Sequence, residues 1–453
     1  MRDLLQDSVH RASSYLASLD NRRIFPDVAA IAQLDAFNEP LPEQPTDPAE
    51  VLAMLDEWGS PAAVASASGR YFGFVTGGVL PACLAVNWLA GAWDQNGMLQ
   101  AASPVAAVVE EVALGWLLDV LNLPKGAAAG FVTGATMANF TGLAAARQAV
   151  LAKLGWDVAA QGLFGAPPIT VIVGEEVHVS LLKALSMLGL GRERVVRVPV
   201  DGQGRLRADK LPAMSGPTIV CMQAGNVNTG AFDPAQAICA AAHEAGAWVH
   251  VDGAFGLWAA AAPGLAHLAV GVNEADSWAT DAHKWLNVPY DSGLVFCRDP
   301  QHLRTAMATT AAAYLVVEEQ REPMHYTPEA SRRGRGLEVW AALRSLGRSG
   351  LAGMIEGCCA RARRFAVGLR EAGFVVLNEV NLNQVLVSFG SEERTRGLIT
   401  AVQADGTCWC GGTVWQGRAA MRISVSSWAT TDEDVERSLA AIVRIAGEWG
   451  DGG

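Results

Sequence analysis

The chain has 453 residues, 34 basic against 46 acidic, for a formal charge of −12, and 51% of its residues are hydrophobic against 18% charged. So large an apolar fraction excludes a disordered or low-complexity chain. The negative charge, with no long Lys/Arg run, argues against nucleic acid as a partner but leaves room for an anionic cofactor, because backbone amides alone can hold a phosphate.

From the start, Met1-Arg2-Asp3 brings acidic residues early and no apolar core of a signal peptide, so a cytoplasmic protein is expected. Residues 1–60 read as helices plus a Pro-rich crossing (Phe25-Pro26, Pro40, Pro42, Pro45), an arm expected to pack on a partner subunit. Tyr71 to Trp93 carries no charge and is about long enough to span a bilayer. Its Gly73, Gly77, Gly78, Pro81, Asn87 and Gly91 suit a loop followed by a buried helix instead, so no membrane span is expected. At Ser103-Pro104 a capped helix begins, with apolar positions through Val108, Val112, Leu118 and Leu121.

Short β-rich runs follow at 130–133, 169–173, 195–198, 218–222, 248–251 and 293–296, with helical patterns such as Ala138 to Leu154 and Ala235 to Ala245 between them. Apolar strands separated by helices predict an α/β fold with a mostly parallel sheet covered on both faces. Ligands on such sheets sit at the carboxyl ends of the strands. The expected boundaries are an arm at 1–60, a large domain at 61–310 and a smaller α+β domain at 311–453. In the last, a polar loop (Glu318 to Arg335) precedes helices near 336–349 and 351–372 and strands near 374–378, 384–389 and 419–425.

Eight cysteines (Cys83, Cys221, Cys239, Cys297, Cys358, Cys359, Cys408, Cys410) form no CxxC pair. They read as buried free thiols of a reducing compartment, and no metal site is expected.

Four features fall at predicted strand ends, in chain order. Gly134-Ala135-Thr136 opens a long helix, where amides and the helix dipole favour an anion. His178 follows the second strand, and Asp252 ends the strand His250-Val251-Asp252. Lys284 stands between His283 and Trp285 after Ser277-Trp278-Ala279, an apolar setting that suits a Schiff-base lysine. A phosphorylated aromatic aldehyde needs this set: the helix start for phosphate, Lys284 for the imine, Asp252 for the pyridinium nitrogen and His178 for the ring face.

On these residues the sequence resembles the pyridoxal-phosphate-dependent group II amino-acid decarboxylases (aromatic-L-amino-acid/glutamate decarboxylase-like). His250-Val251-Asp252-Gly253-Ala254, His283-Lys284-Trp285, Ala102-Ser103-Pro104 and Ser331-Arg332-Arg333 carry the likeness over roughly residues 60–440. It implies a type I, aspartate-aminotransferase-like fold with a seven-stranded sheet, and a homodimer with active sites at the interface. It implies pyridoxal 5′-phosphate as cofactor and release of CO2 from an L-amino acid, with an aromatic substrate permitted. Transamination, a lyase step or decarboxylation coupled to oxidative deamination stay open.

Residue by residue, the likeness assigns the cofactor to Gly134, Ala135, Thr136, His178, Asn228 or Thr229, Asp252, Ala254, Thr280, His283 and Lys284. It assigns the substrate pocket to Phe72 and Phe74, and Met98 with Leu99 and Gln100 to a segment reaching the other subunit's site. Tyr326 is the nearest candidate for the tyrosine that delivers the final proton, although the stretch before Arg332-Arg333 is short. Thr280-Asp281-Ala282 departs from the usual Asn-Pro before His-Lys. Arg332 or Arg422 could meet a carboxylate, while Arg332-Arg333 reads more simply as an interface ion-pair element.

Overall fold

The computed structural model describes residues 1–308 and 321–449, so residues 318–320 of the expected polar loop lie outside it. The chain forms two compact units. One comprises Met1–Gly78, Arg361–Leu377 and Val385–Gly453, the other Val79–Ala360 with Asn378–Gln384.

The second unit is built on seven strands: β1 (Ala128–Val132), β2 (Thr170–Gly174), β3 (Val196–Val198), β4 (Thr218–Gln223), β5 (Trp248–Asp252), β6 (Ser277–Asp281) and β7 (Gly293–Cys297). Their order is β1-β7-β6-β5-β4-β2-β3. Strands β3, β2, β4, β5 and β6 pair in parallel, and β7 runs antiparallel to both β6 and β1. This is the mostly parallel α/β sheet expected from the apolar runs. Every residue of β1, β4, β5, β6 and β7 is buried, which is why those runs lack polar alternation.

The main helices of this unit begin with α1 (Pro81–Trp93), α2 (Pro104–Val120), α3 (Ala135–Ala152), α4 (Val179–Met187), α5 (Ala235–Glu244) and the single turn α6 (Ala282–Trp285). Helix α3 packs on β5, β6 and β7. It buries thirteen of its eighteen residues, and its many alanines allow that close approach. Helix α2 starts as expected, with Ser103 Oγ accepting the Ala106 N–H at 3.3 Å and Pro104 in the first turn.

One expectation is corrected. The helix after Tyr71 is not buried within the chain: in α1 only Cys83 is buried, and Trp88, Leu89 and Trp93 are exposed. Val108 and Val112 of α2 are exposed too, while Leu118 and Leu121 are buried. Among the described residues no helix is long and apolar enough to cross a membrane.

The other unit holds a second sheet in its C-terminal part, of order β10-β11-β9-β8, from β8 (Val375–Val376), β9 (Gln384–Ser388), β10 (Gly411–Trp415) and β11 (Arg418–Ser424). The β10–β11 hairpin is antiparallel, and its first strand begins Gly411-Gly412, a poor strand signature. The two expected long helices form one run, Gly336–Glu371, broken at Gly347, whose φ of +59° leaves helical geometry.

Candidate active site

The carboxyl ends of the parallel strands gather the chemistry. Strand β6 ends at Asp281, and α6 follows at once with His283 and Lys284. Lys284 is half-buried, whereas Lys125, Lys153, Lys183 and Lys210, the other lysines of the chain, are exposed. Its Nζ stands 3.0 Å from Asp281 Oδ2.

Asp281 is the residue whose role sequence reasoning missed. Its Oδ1 accepts the Ala135 N–H at 2.5 Å, at the start of α3, and lies 3.5 Å from His283 Nε2. A side-chain carboxylate thus takes the N–H at the helix start where an anion is expected. His283 Nδ1 accepts the Ser292 N–H at 3.1 Å, so its ring proton sits on Nε2 and faces Asp281. Burial pulls the His283 imidazolium below its usual range, with Asp281 opposing. The exposed Tyr290 ring lies over His283 at 4.3 Å.

Gly134 and Gly293 bring the α3 start against the start of β7. A Cβ on Gly293 would lie 2.4 Å from Gly134 Cα, so that position admits only glycine. Thr136 is half-buried in the first turn of α3. Ser292, just before Gly293, keeps a buried hydroxyl with no hydrogen-bond partner among the described residues.

Strand β5, next to β6, ends at Asp252, which is buried. Asp252 Oδ1 accepts the Ala254 N–H and Oδ2 accepts Asn139 Nδ2, both at 3.2 Å. The Ala254 carbonyl accepts the Asp281 N–H at 2.9 Å and the Thr280 hydroxyl at 3.4 Å, which ties the β5 end to the β6 end. Beyond β2, half-buried His178 caps α4, its Nδ1 accepting the Ser180 N–H at 3.2 Å.

At the end of β4 the turn is organised by Asn226, whose Oδ1 accepts the N–H groups of Asn228 (2.9 Å) and Thr229 (3.2 Å). The Thr229 hydroxyl donates to the Gln203 carbonyl at 2.7 Å, so its proton is committed there. Buried Asn226 Nδ2 has no partner among the described residues, which makes Asn226 a further donor that the sequence reading passed over.

The remaining candidates of this unit, Tyr326, Met98 and Arg332, make other contacts. Tyr326 is buried in the apolar core with Ala128, Leu143 and Leu303, and the Arg321 guanidinium lies 4.5 Å from its ring centroid. No described contact joins it to Lys284, Asp281 or Asp252. Met98 is half-buried, its carbonyl accepting the Met324 N–H at 3.0 Å. Arg332 is committed within the chain: its fork grips Glu110 at 2.6 and 2.9 Å, both side chains buried. Its neighbour Arg333 pairs with Glu338. In the other unit, Phe72 is 1% exposed and packs edge-on against Phe365 at 5.0 Å, while Phe74 is 62% exposed.

These residues fit a phosphorylated pyridine aldehyde. They supply a lysine amine, a buried carboxylate at the neighbouring strand end, a helix start that attracts an anion, and buried donors (Asn226 Nδ2, Ser292 Oγ) without partners among the described residues. Among the described residues no group of three His, Cys, Asp or Glu is placed to hold a metal.

Comparison with known proteins agrees with that fit. The model of the pyridoxal-dependent decarboxylase conserved domain matches residues 33–391. Tryptophan decarboxylase 1 of Oryza sativa subsp. japonica is 27% identical, over 99% of this chain and 94% of its own. Phenylacetaldehyde synthase of Petunia hybrida is 26% identical, over 81% and 73%. The crystal structure of Oryza sativa TDC with PLP and tryptamine superposes with a TM-score of 0.90 at 25% identity, covering 99% of this chain and 97% of that one.

Proposed function

The chain belongs to the pyridoxal-dependent decarboxylase family and is a carboxy-lyase that uses pyridoxal 5′-phosphate, and on that premise we propose that it converts an aromatic L-amino acid to its amine as a cytoplasmic homodimer. The observation that carries the site assignment is the pairing of β5 and β6. It sets Asp252 and the Asp281–Lys284 turn at adjacent strand ends, and Lys284 is the one lysine withdrawn from solvent.

Lys284 Nζ would hold the cofactor's aldehyde carbon, Asp252 the proton on its ring nitrogen, His178 its ring face, and the Gly134-Ala135-Thr136 helix start its phosphate. When bound, pyridoxal phosphate supplies the electron sink for the bond broken to CO2. Asp252 makes that sink effective by keeping a cationic ring nitrogen paired. Asn226 Nδ2 and Ser292 Oγ are further donors for it. Asp281 faces the Lys284 amine and would share the helix start with the phosphate.

An aromatic substrate is supported by the names of the relatives and by the Arg332–Glu110 pair, which removes that guanidinium from recognising an acidic side chain. A second subunit is supported by the apolar residues that α1 and α2 leave exposed (Trp88, Leu89, Trp93, Val108, Val112). The reducing compartment is supported by the burial of all eight cysteines.

The place of Tyr326 favours a second reading. With that tyrosine in the core, proton delivery at Cα lacks the candidate donor, and decarboxylation coupled to oxidative deamination follows. That route consumes O2 and water and yields aldehyde, CO2, ammonia and hydrogen peroxide. Product analysis with L-tryptophan, L-tyrosine, L-phenylalanine and L-DOPA decides. CO2 with an equal amount of amine supports decarboxylation; aldehyde with peroxide and no amine supports the second reading. No CO2 from any of the twenty common amino acids or L-DOPA contradicts both.

A further inference from the structure

Behind Asp252 a buried polar chain runs back through Asn139 to Trp248. The β5–β6 register sets His250 beside Ser277. Trp248 Nε1 donates to Ser277 Oγ at 2.9 Å, and Ser277 Oγ lies 2.8 Å from His250 Nδ1. His250 Nε2 lies 2.8 Å from Asn139 Oδ1, and Asn139 Nδ2 donates to Asp252 Oδ2 at 3.2 Å. Ser277, His250 and Asn139 are fully enclosed. Space for the imidazole is kept by Gly142, one turn beyond Asn139 on α3, where a Cβ would lie 2.8 Å from His250 Cε1.

The two ends fix the direction of every bond between them. The indole N–H can only donate, so the Ser277 hydroxyl receives it and turns its own proton to His250 Nδ1. The imidazole proton is therefore on Nε2 and goes to Asn139 Oδ1. That orients the amide so that its NH2 meets Asp252. A carboxylate only accepts, so the far end demands the same polarity. A proton on Asp252 Oδ2 would set two donors face to face. Burial pulls the His250 imidazolium down to about 3, which keeps the ring neutral, as this polarity requires.

We infer that Trp248, Ser277, His250 and Asn139 form a one-way hydrogen-bond relay that locks Asp252 as an acceptor-only carboxylate, which makes Asn139 and His250 positioning residues for the cofactor's ring-nitrogen proton. The inference rests on the assignment of Asp252 to that nitrogen. One helix then serves the cofactor twice, at its phosphate through Ala135 and at its ring nitrogen through Asn139.

The test compares pyridoxal phosphate with its 1-deaza analogue, in which carbon replaces the ring nitrogen. Dissociation constants are measured on full-length protein after reversible removal of cofactor, for wild type, Asn139→Leu and Ser277→Ala. A hydrogen bond to a charged group contributes roughly 1.5–3 kcal/mol, and 1.4 kcal/mol is tenfold in affinity. Wild type is expected to prefer the natural cofactor, and Asn139→Leu to cut that preference by about tenfold. Ser277→Ala is expected to cut it less, in the same direction.

Because a ratio is read, general loosening of the fold weakens both ligands and cancels. An unchanged ratio in the variants overturns the relay and leaves the Asp252 assignment standing. No preference in wild type overturns that assignment itself. Should Asn139→Leu yield no folded protein, Ser277→Ala decides alone.

Discussion

Lys284 Nζ and Asp281 Oδ2 stand 3.0 Å apart, while the other oxygen of Asp281 occupies the Ala135 N–H that opens α3. One carboxylate thus neutralises the reactive amine and holds the seat assigned to the phosphate. Asp281→Asn removes a like charge from the phosphate's surroundings. It is expected to tighten pyridoxal phosphate binding by about tenfold, worth 1.4 kcal/mol, in an absorbance titration. Weaker binding would mean that Asp281 supports the cofactor instead of competing with its phosphate.

His250 gives a pH signature. Its folded value of about 3 lies below the ordinary 6.5, so the folded state keeps the ring neutral where the unfolded chain protonates it. Stability from this group is therefore complete above pH 6.5 and declines as pH falls from there toward 3, approaching about 1.4 kcal/mol per pH unit. Urea unfolding of wild type and His250→Gln at pH 7 and pH 5 should show a steeper loss in wild type. Parallel losses would show that His250 is not held neutral.

Tyr326 lies beneath Arg321 in the core, so its hydroxyl is not expected to deliver a proton. Tyr326→Phe should release CO2 at a rate within about threefold of wild type, against the roughly 100-fold loss typical when a general acid is removed. A hundredfold fall would restore Tyr326 to the reaction.

Much of this site was readable before any coordinates. Apolar runs locate the strands, and His283-Lys284-Trp285 with Asp252 carries the family likeness from which the cofactor residues are proposed. Other parts are long-range facts. Asp281 looked like a departure from a motif, and its partner Ala135 is 146 positions away. Asn139 lies 113 positions from Asp252, the carboxylate it meets. Tyr326 was the nearest tyrosine before Arg332 in a stretch that is short, and only packing places it in the apolar core. Residues 1–78 share a compact unit with the C-terminal segments, a grouping no local pattern encodes.

The Arg332–Glu110 pair is a structural anchor. Arg332→Met takes the fork from the buried Glu110 carboxylate and leaves it Arg321 at 3.8 Å, at a cost of roughly 1.5–3 kcal/mol. Chemical unfolding of this variant, and of Arg332→Met with Glu110→Leu, should show the double change costing less than the single one. A single variant within about 1 kcal/mol of wild type would deny the pair that role.

Gly293→Ala would drive a methyl into the backbone of Gly134, where its Cβ has only 2.4 Å to Gly134 Cα. The β1–α3 turn must shift, and cofactor affinity is expected to fall by at least about tenfold (1.4 kcal/mol) in the same titration. Unchanged affinity would place the phosphate elsewhere.

The central claim is that Lys284 carries the cofactor. Borohydride reduction of the holoenzyme, followed by peptide mass mapping, should find the pyridoxyl group on Lys284, and Lys284→Ala should retain none after reduction. Pyridoxyl on Lys125, Lys153, Lys183 or Lys210, or its retention in Lys284→Ala, would contradict the assignment.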